Sequence, residues 1–138
     1  MVEVIFACVH NAGRSQMAQA FFNAFADPGK ARAISAGTQP AQVVHPEVVE
    51  TMKEVDVDVS REKPKLLTTE LAARAQHLVT MGCGDACPYV PGLKVQDWKL
   101  EDPKGKPVER VREIRDEIRR RVREFIDANQ WRRAQGPP

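Results

Sequence analysis

Residues 2–7, Val-Glu-Val-Ile-Phe-Ala, form a β-branched apolar run with one charge, the pattern of a strand covered on both faces in a parallel sheet. From Ser15 the apolar and small positions Met17, Ala18, Phe21, Ala24 and Phe25 recur at helical spacing, and Asp27-Pro28-Gly29 closes the run with a turn. A central strand, a loop and a helix are predicted. Residues 31–37 read as a second strand ended by Gly37, and 45–55 as a helix that tolerates Pro46 in its first turn. Residues 68–75 predict a short helix capped by Thr68 or Thr69, leading into an apolar strand over 77–81. A fourth strand is expected over 93–98. Val108, Val111, Ile114, Ile118, Val122 and Phe125 then draw one apolar stripe along a long final helix.

Strands alternating with helices imply an α/β domain with a parallel sheet and helices on both faces, doubly wound rather than barrel-like at this length. Residues 1–130 are expected to form this single domain, with 131–138 as a frayed tail.

Composition narrows the class. The 138 residues are 42% hydrophobic and 29% charged, a globular balance, and no apolar run approaches the ~20 residues that span a bilayer. The N-terminus has no basic leader or small-residue cleavage pattern, so a cytoplasmic protein without membrane attachment is expected. The net charge of +2 hides an asymmetry: residues 1–103 carry 10 basic and 13 acidic groups, whereas 104–138 carry 11 and 6. Charges of alternating sign on the final helix, with Asp116/Arg120 and Glu117/Arg121 as helix neighbours, point to a solvated face rather than a nucleic-acid surface. The cysteines, Cys8, Cys83 and Cys87, are odd in number, which argues for reactive or metal-bound thiols over a disulfide framework.

The loop Cys8-Val9-His10-Asn11-Ala12-Gly13-Arg14-Ser15 lies between the first strand and the first helix, at the carboxyl end of the sheet where open α/β folds bind ligands. A loop entering a helix N-terminus collects backbone N–H groups in one space, and the helix dipole adds positive potential, favouring an anion of phosphate size. Ala12 and Gly13 keep side chains out of that space. Arg14 can set its planar fork against two anion oxygens, and the same field favours the thiolate form of a cysteine at this position. Asn11 tolerates a left-handed backbone that would shape the loop, and Ser15 can donate a hydrogen bond to a thiolate.

"CVHNAGRS" resembles the Cys-x-x-Asn-x-x-Arg-Ser loop of the low-molecular-weight protein tyrosine phosphatase superfamily, which includes thioredoxin-coupled arsenate reductases. The resemblance implies a flavodoxin-like three-layer sandwich with a four-stranded parallel sheet over nearly the whole chain. It also implies that Cys8 is the nucleophile, that Val9 to Ser15 bind the oxyanion, and that the general acid lies in an Asp-Pro pair. On residue chemistry alone Asp97 and Asp102 both remain candidates, as does a plain surface turn; Asp102-Pro103 matches the family pattern.

A phosphatase needs no further thiols, yet Cys83 and Cys87 follow the third strand. Zinc would need four ligands, and Cys8, Cys83, Cys87 and His10 would have to draw one from the anion loop itself, so no metal is expected, and no cofactor either. Inert core cysteines are the plainer alternative. Resemblance to the arsenate reductases implies a relay: Cys8 attacks arsenate, Cys83 attacks Cys8, and Cys87 takes over the disulfide for a thioredoxin or similar dithiol reductant. Phosphate and sulfate would mimic the substrate. The short Cys83–Cys87 spacing departs from the better-known members, and Lys104 and Gly105 follow the Asp-Pro pair where tyrosine phosphatases carry an aromatic residue. The alternatives to the reductase are therefore a phosphatase of the same fold and a non-catalytic arsenic or oxyanion sensor. His45 and His77 read as structural, Tyr89 and Trp98 as packing or rim residues, and the segments 35–40 and 59–65 as a rim around the anion site.

Overall fold

The computed structural model describes residues 1–82 and 91–133. The elements, in chain order, are β1 (Val2–Cys8), α1 (Arg14–Phe25), β2 (Ala31–Gly37), α2 (Pro46–Lys53), α3 (Thr69–Ala73), β3 (His77–Thr80), β4 (Lys94–Asp97) and α4 (Val108–Ala128). The four strands form one sheet in the order β2-β1-β3-β4, every neighbouring pair parallel. β1 is therefore central, and the carboxyl ends of β1 and β2 meet where Cys8 pairs with Gly37.

The pleat divides β1 between two apolar layers. Val4, Phe6 and Cys8 face the larger cluster, with Met17, Phe21 and Phe22 of α1, Val48 and Met52 of α2, and Ile114, Ile118, Val122 and Phe125 of α4. Ile5 and Ala7 face a smaller cluster with Leu67 and Leu78, against which Leu71 and Ala75 pack at α3 and just beyond it. The fully buried Phe6 sits among aromatic rings, with centroids 5.9 Å from Phe22 and 5.7 Å from Trp98. Thr68 is the cap of α3, its Oγ1 accepting from the Leu71 N–H at 3.0 Å.

Two details add to the sequence reading. At the start of the segment expected as a tail, Trp131 is only 9% exposed and stacks edge-on against Phe125 at 5.4 Å. Its carbonyl accepts from Asp27 N at 2.8 Å, and Arg132 pairs with Asp127, so the packed chain runs on through these residues. The apolar area of one indole and a backbone bond to the α1–β2 turn hold it there. On α4, Arg120 bonds Glu117 and Glu124 rather than Asp116, which instead takes Arg115 and Arg119. The Glu117–Arg121 pair forms at 3.0 Å.

Candidate active site

The β1–α1 loop owes its shape to the segment that follows β2. Backbone N–H groups of Thr38, Gln39, Ala41 and His45 donate to the carbonyls of Cys8, Val9, His10 and Ala12 at 3.3, 2.8, 2.9 and 2.9 Å. In a trans peptide the N–H points opposite to the carbonyl of the residue before it. Pulling these four carbonyls outward therefore turns the N–H groups of Val9, His10, Asn11 and Gly13 to the other side, a nest for an anion. Segment 35–40, expected on the rim, thus acts through its backbone. The N-terminus of α1 adds to the same space, its N-cap at Gly13 making no side-chain cap bond.

The polar side chains of the loop converge on one sulfur. Cys8, 2% exposed, has Sγ 2.9 Å from Ser15 Oγ and receives the Asn11 backbone N–H at 3.3 Å. Asn11 has φ 50°, the left-handed region that asparagine tolerates. Its Nδ2 donates to Ser15 Oγ at 2.7 Å. The Lys65 backbone N–H, which can only donate, reaches Asn11 Oδ1 at 2.9 Å and fixes which way that amide faces. An ionised sulfur can only accept, so Ser15 then directs its single proton to Cys8.

His10 lies in the loop but turns its ring outward, Nδ1 donating to the Gln39 carbonyl at 3.1 Å.

Arg14 stands at the mouth, 9% exposed, with one arm donating to the Leu100 carbonyl at 3.1 Å. The other arm lies 3.7 Å from Asp102 Oδ2, a long pair on a carboxylate 44% exposed. Asp102 Oδ1 accepts the Lys104 N–H at 3.0 Å, the local turn expected of an Asp-Pro start. Asp97, the competing carboxylate, is taken up by Thr80 Oγ1 at 2.6 Å.

The loop that carries Asp102 is seated against Gly13. A Cβ there would stand 3.0 Å from Pro103 Cγ and 3.5 Å from His45 Cδ2. His45, read from sequence as a structural residue at a helix start, touches the anion loop. Burial pushes its imidazole below the ordinary histidine value, against the opposing charges of Glu47 and Asp102. The sequence signal for it was the histidine preceding Pro46, at the end of the segment that holds the loop carbonyls.

Gly82 closes the site from β3. Its φ of +108° favours glycine, and a Cβ there would stand 2.6 Å from Arg14 Nη1 and push the guanidinium aside. Cys83, Cys87 and Tyr89 lie outside the described residues, as does most of the tail. Among the described residues no cluster of three or more His, Cys, Asp or Glu side chains could hold a metal ion, and no helix is long and apolar enough to cross a membrane.

The model of the family "Low molecular weight phosphotyrosine protein phosphatase" matches residues 3–135. The chain belongs to this family. Within reach of it by sequence, a Halobacterium salinarum protein is 40% identical over 126 residues, covering 88% of this chain and 89% of its own. Arsenate reductase 2 of Staphylococcus saprophyticus is 33% identical over 128 residues, covering 90% and 95% of the two chains. Among solved structures, the thioredoxin-dependent arsenate reductase of Corynebacterium glutamicum superposes with a TM-score of 0.81 at 40% identity. That match covers 94% of this chain and 62% of the other, so this chain spans less than two thirds of that protein's length. The flavodoxin-like sandwich of the family is the fold described above.

Proposed function

We propose that this protein is an arsenate reductase that converts arsenate to arsenite through Cys8, Cys83 and Cys87, with a thioredoxin-type dithiol as electron donor. The Staphylococcus and Corynebacterium relatives are reductases by name. The observation that carries the reading is the closeness of Gly82 to Arg14: the residue that precedes Cys83 leaves so little room that a Cβ on it would fall 2.6 Å from the Arg14 guanidinium.

Arsenate enters the nest with Arg14 bridging two of its oxygens. Cys8 Sγ, as thiolate, attacks arsenic(V) and displaces one of its hydroxyl groups, which leaves as water after taking a proton from Asp102. The Cys83 thiolate then attacks Cys8 Sγ. A disulfide forms, the sulfur–arsenic bond breaks with its electron pair staying on arsenic, and arsenite departs, two thiols having been oxidised and one arsenic reduced. Cys87 attacks Cys83, returning Cys8 to its thiolate, and the external dithiol reduces the resulting Cys83–Cys87 bridge and becomes a disulfide itself. Such a cycle fits a cytoplasmic setting, where thiols are kept reduced.

The test is multiple-turnover arsenate reduction coupled to thioredoxin and its reductase. Cys8→Ser, Cys83→Ser and Cys87→Ser should each lower turnover by at least about 10³-fold, the scale of losing one member of a unit that acts together. Full turnover by Cys83→Ser would overturn the relay. Cys8, Arg14 and Asp102 also suffice for phosphate ester cleavage, so slow hydrolysis of p-nitrophenyl phosphate that survives loss of both distal cysteines is expected. Hydrolysis faster than arsenate reduction would favour the phosphatase reading, and arsenite binding without any arsenate consumption the sensor.

A further inference from the structure

Gln16 is 1% exposed on α1, and the chemistry described so far makes no use of it. Its Nε2 donates to the Asn11 backbone carbonyl at 3.1 Å and to Asn11 Oδ1 at 3.2 Å. Both partners are oxygens that can only accept, so the amide cannot be turned over, and its Oε1 is left as a buried acceptor without a partner among the described residues. A buried orphan acceptor is destabilising, and an apolar side chain of the same length would avoid it. The chain keeps a glutamine here, and what the glutamine holds is Asn11.

From Asn11 the contacts run in one direction. Asn11 Oδ1 accepts two donors, Gln16 Nε2 and the Lys65 N–H. Loading the oxygen of an amide polarises its nitrogen as a donor. That nitrogen donates to Ser15 Oγ at 2.7 Å, and Ser15 Oγ lies 2.9 Å from Cys8 Sγ. The grip on the Asn11 carbonyl also holds the left-handed turn that aims the Asn11 N–H at the same sulfur, 3.3 Å away.

We propose that Gln16 is a positioning residue for the nucleophile, setting through Asn11 and Ser15 the hydrogen-bond donation that Cys8 Sγ receives. It rests on Cys8 as the nucleophile and not on arsenate as the substrate.

The experiment follows alkylation of Cys8 by iodoacetamide in a Cys83→Ser/Cys87→Ser background, detected on the Cys8 peptide, so no arsenate chemistry enters the readout. Gln16→Met should slow alkylation at pH 7 about three- to tenfold, with the deficit closing at high pH, where a thiolate forms without help from donors. Thermal stability should change little, because losing the orphan Gln16 Oε1 offsets leaving the Asn11 carbonyl without its Gln16 donor. Placed on Ser15→Ala, the same substitution should lose most of its effect on Cys8, since the Ser15 link is already missing and only the Asn11 N–H remains to carry it. Gln16→Asn, whose shorter arm withdraws the same amide, replaces the Met variant if that chain does not fold. Equal alkylation rates, a deficit that persists at every pH, or effects of Gln16 and Ser15 that simply add would each overturn the proposal. Failure of arsenate turnover in the unmodified protein would sink the reductase reading and leave this one standing.

Discussion

The first turns of α1 and the outer face of α4 use overlapping sets of polar side chains to opposite ends. On α1, Arg14, Ser15, Gln16 and Gln19 are all less than one tenth exposed. Their partners lie elsewhere in the fold: Cys8 at the end of β1, Asn11 in the loop, the Leu100 carbonyl after β4, and Ser35 of β2, whose Oγ donates to Gln19 at 2.6 Å. On α4, Arg120 is 55% and Glu124 65% exposed, and their bonds close within one turn of the same helix. Burial makes each α1 group costly to leave unpaired and able to act on a neighbour; exposure makes each α4 pair small in energy and screened by salt.

Substitutions that keep charge but change geometry should separate the two regions most sharply. Arg14→Lys preserves the positive charge at the mouth but loses the planar fork, and arsenate turnover should fall about 10²- to 10³-fold, with the Kd for phosphate or sulfate rising as well. Arg120→Lys on α4 should leave both unchanged. Turnover of Arg14→Lys within twofold of the parent would erase the distinction.

Asp102→Asn removes the proton that the departing oxygen needs and leaves the nest intact. A loss of about 10² in single-turnover reduction with unchanged phosphate affinity is expected, the scale of one general acid. A weakened affinity with normal turnover would instead make Asp102 a binding group.

The smallest effect belongs to α4. Hydrogen bonds from Arg120 and Arg121 hold the Glu117 carboxyl near about 2, against an ordinary value of 4.5. The folded state thus favours the carboxylate, so this contribution to stability is fully present above about pH 4.5 and disappears as pH falls through about 2. Glu117→Gln should flatten that acid limb of the Tm-versus-pH curve and move Tm by only ~3 °C or less at pH 7. Arsenate turnover should not change; a turnover defect would show that α4 reaches the site.

The contrast also accounts for what the sequence disclosed. Strands, helices and the Glu117–Arg121 pair were legible because each depends on spacing within one element, which periodicity reports directly. The loop motif located Cys8, Asn11, Arg14 and Ser15 together for the same reason, their being within eight residues of one another. The outward pull on the loop carbonyls, the seating of Pro103 and His45 on Gly13, and the hold of Gln16 on Asn11 all depend on packing that spacing does not encode. Gln16 left one trace, a polar residue at i and i+3 with Gln19 on a helix whose other buried positions after Ser15 are apolar. Trp131 left almost none, being a single aromatic among polar residues with no periodic neighbours, and its place is set by edge-on packing against the rings of Phe125 and His77.

The relay that begins at Cys8 is tested most directly by one turnover of arsenate without any reductant, followed by mass spectrometry of the disulfide-linked peptides. The account predicts one arsenite released per chain, a bridge between Cys83 and Cys87, and Cys8 returned as a free thiol. Release of arsenite with Cys83 and Cys87 both still reduced would contradict it.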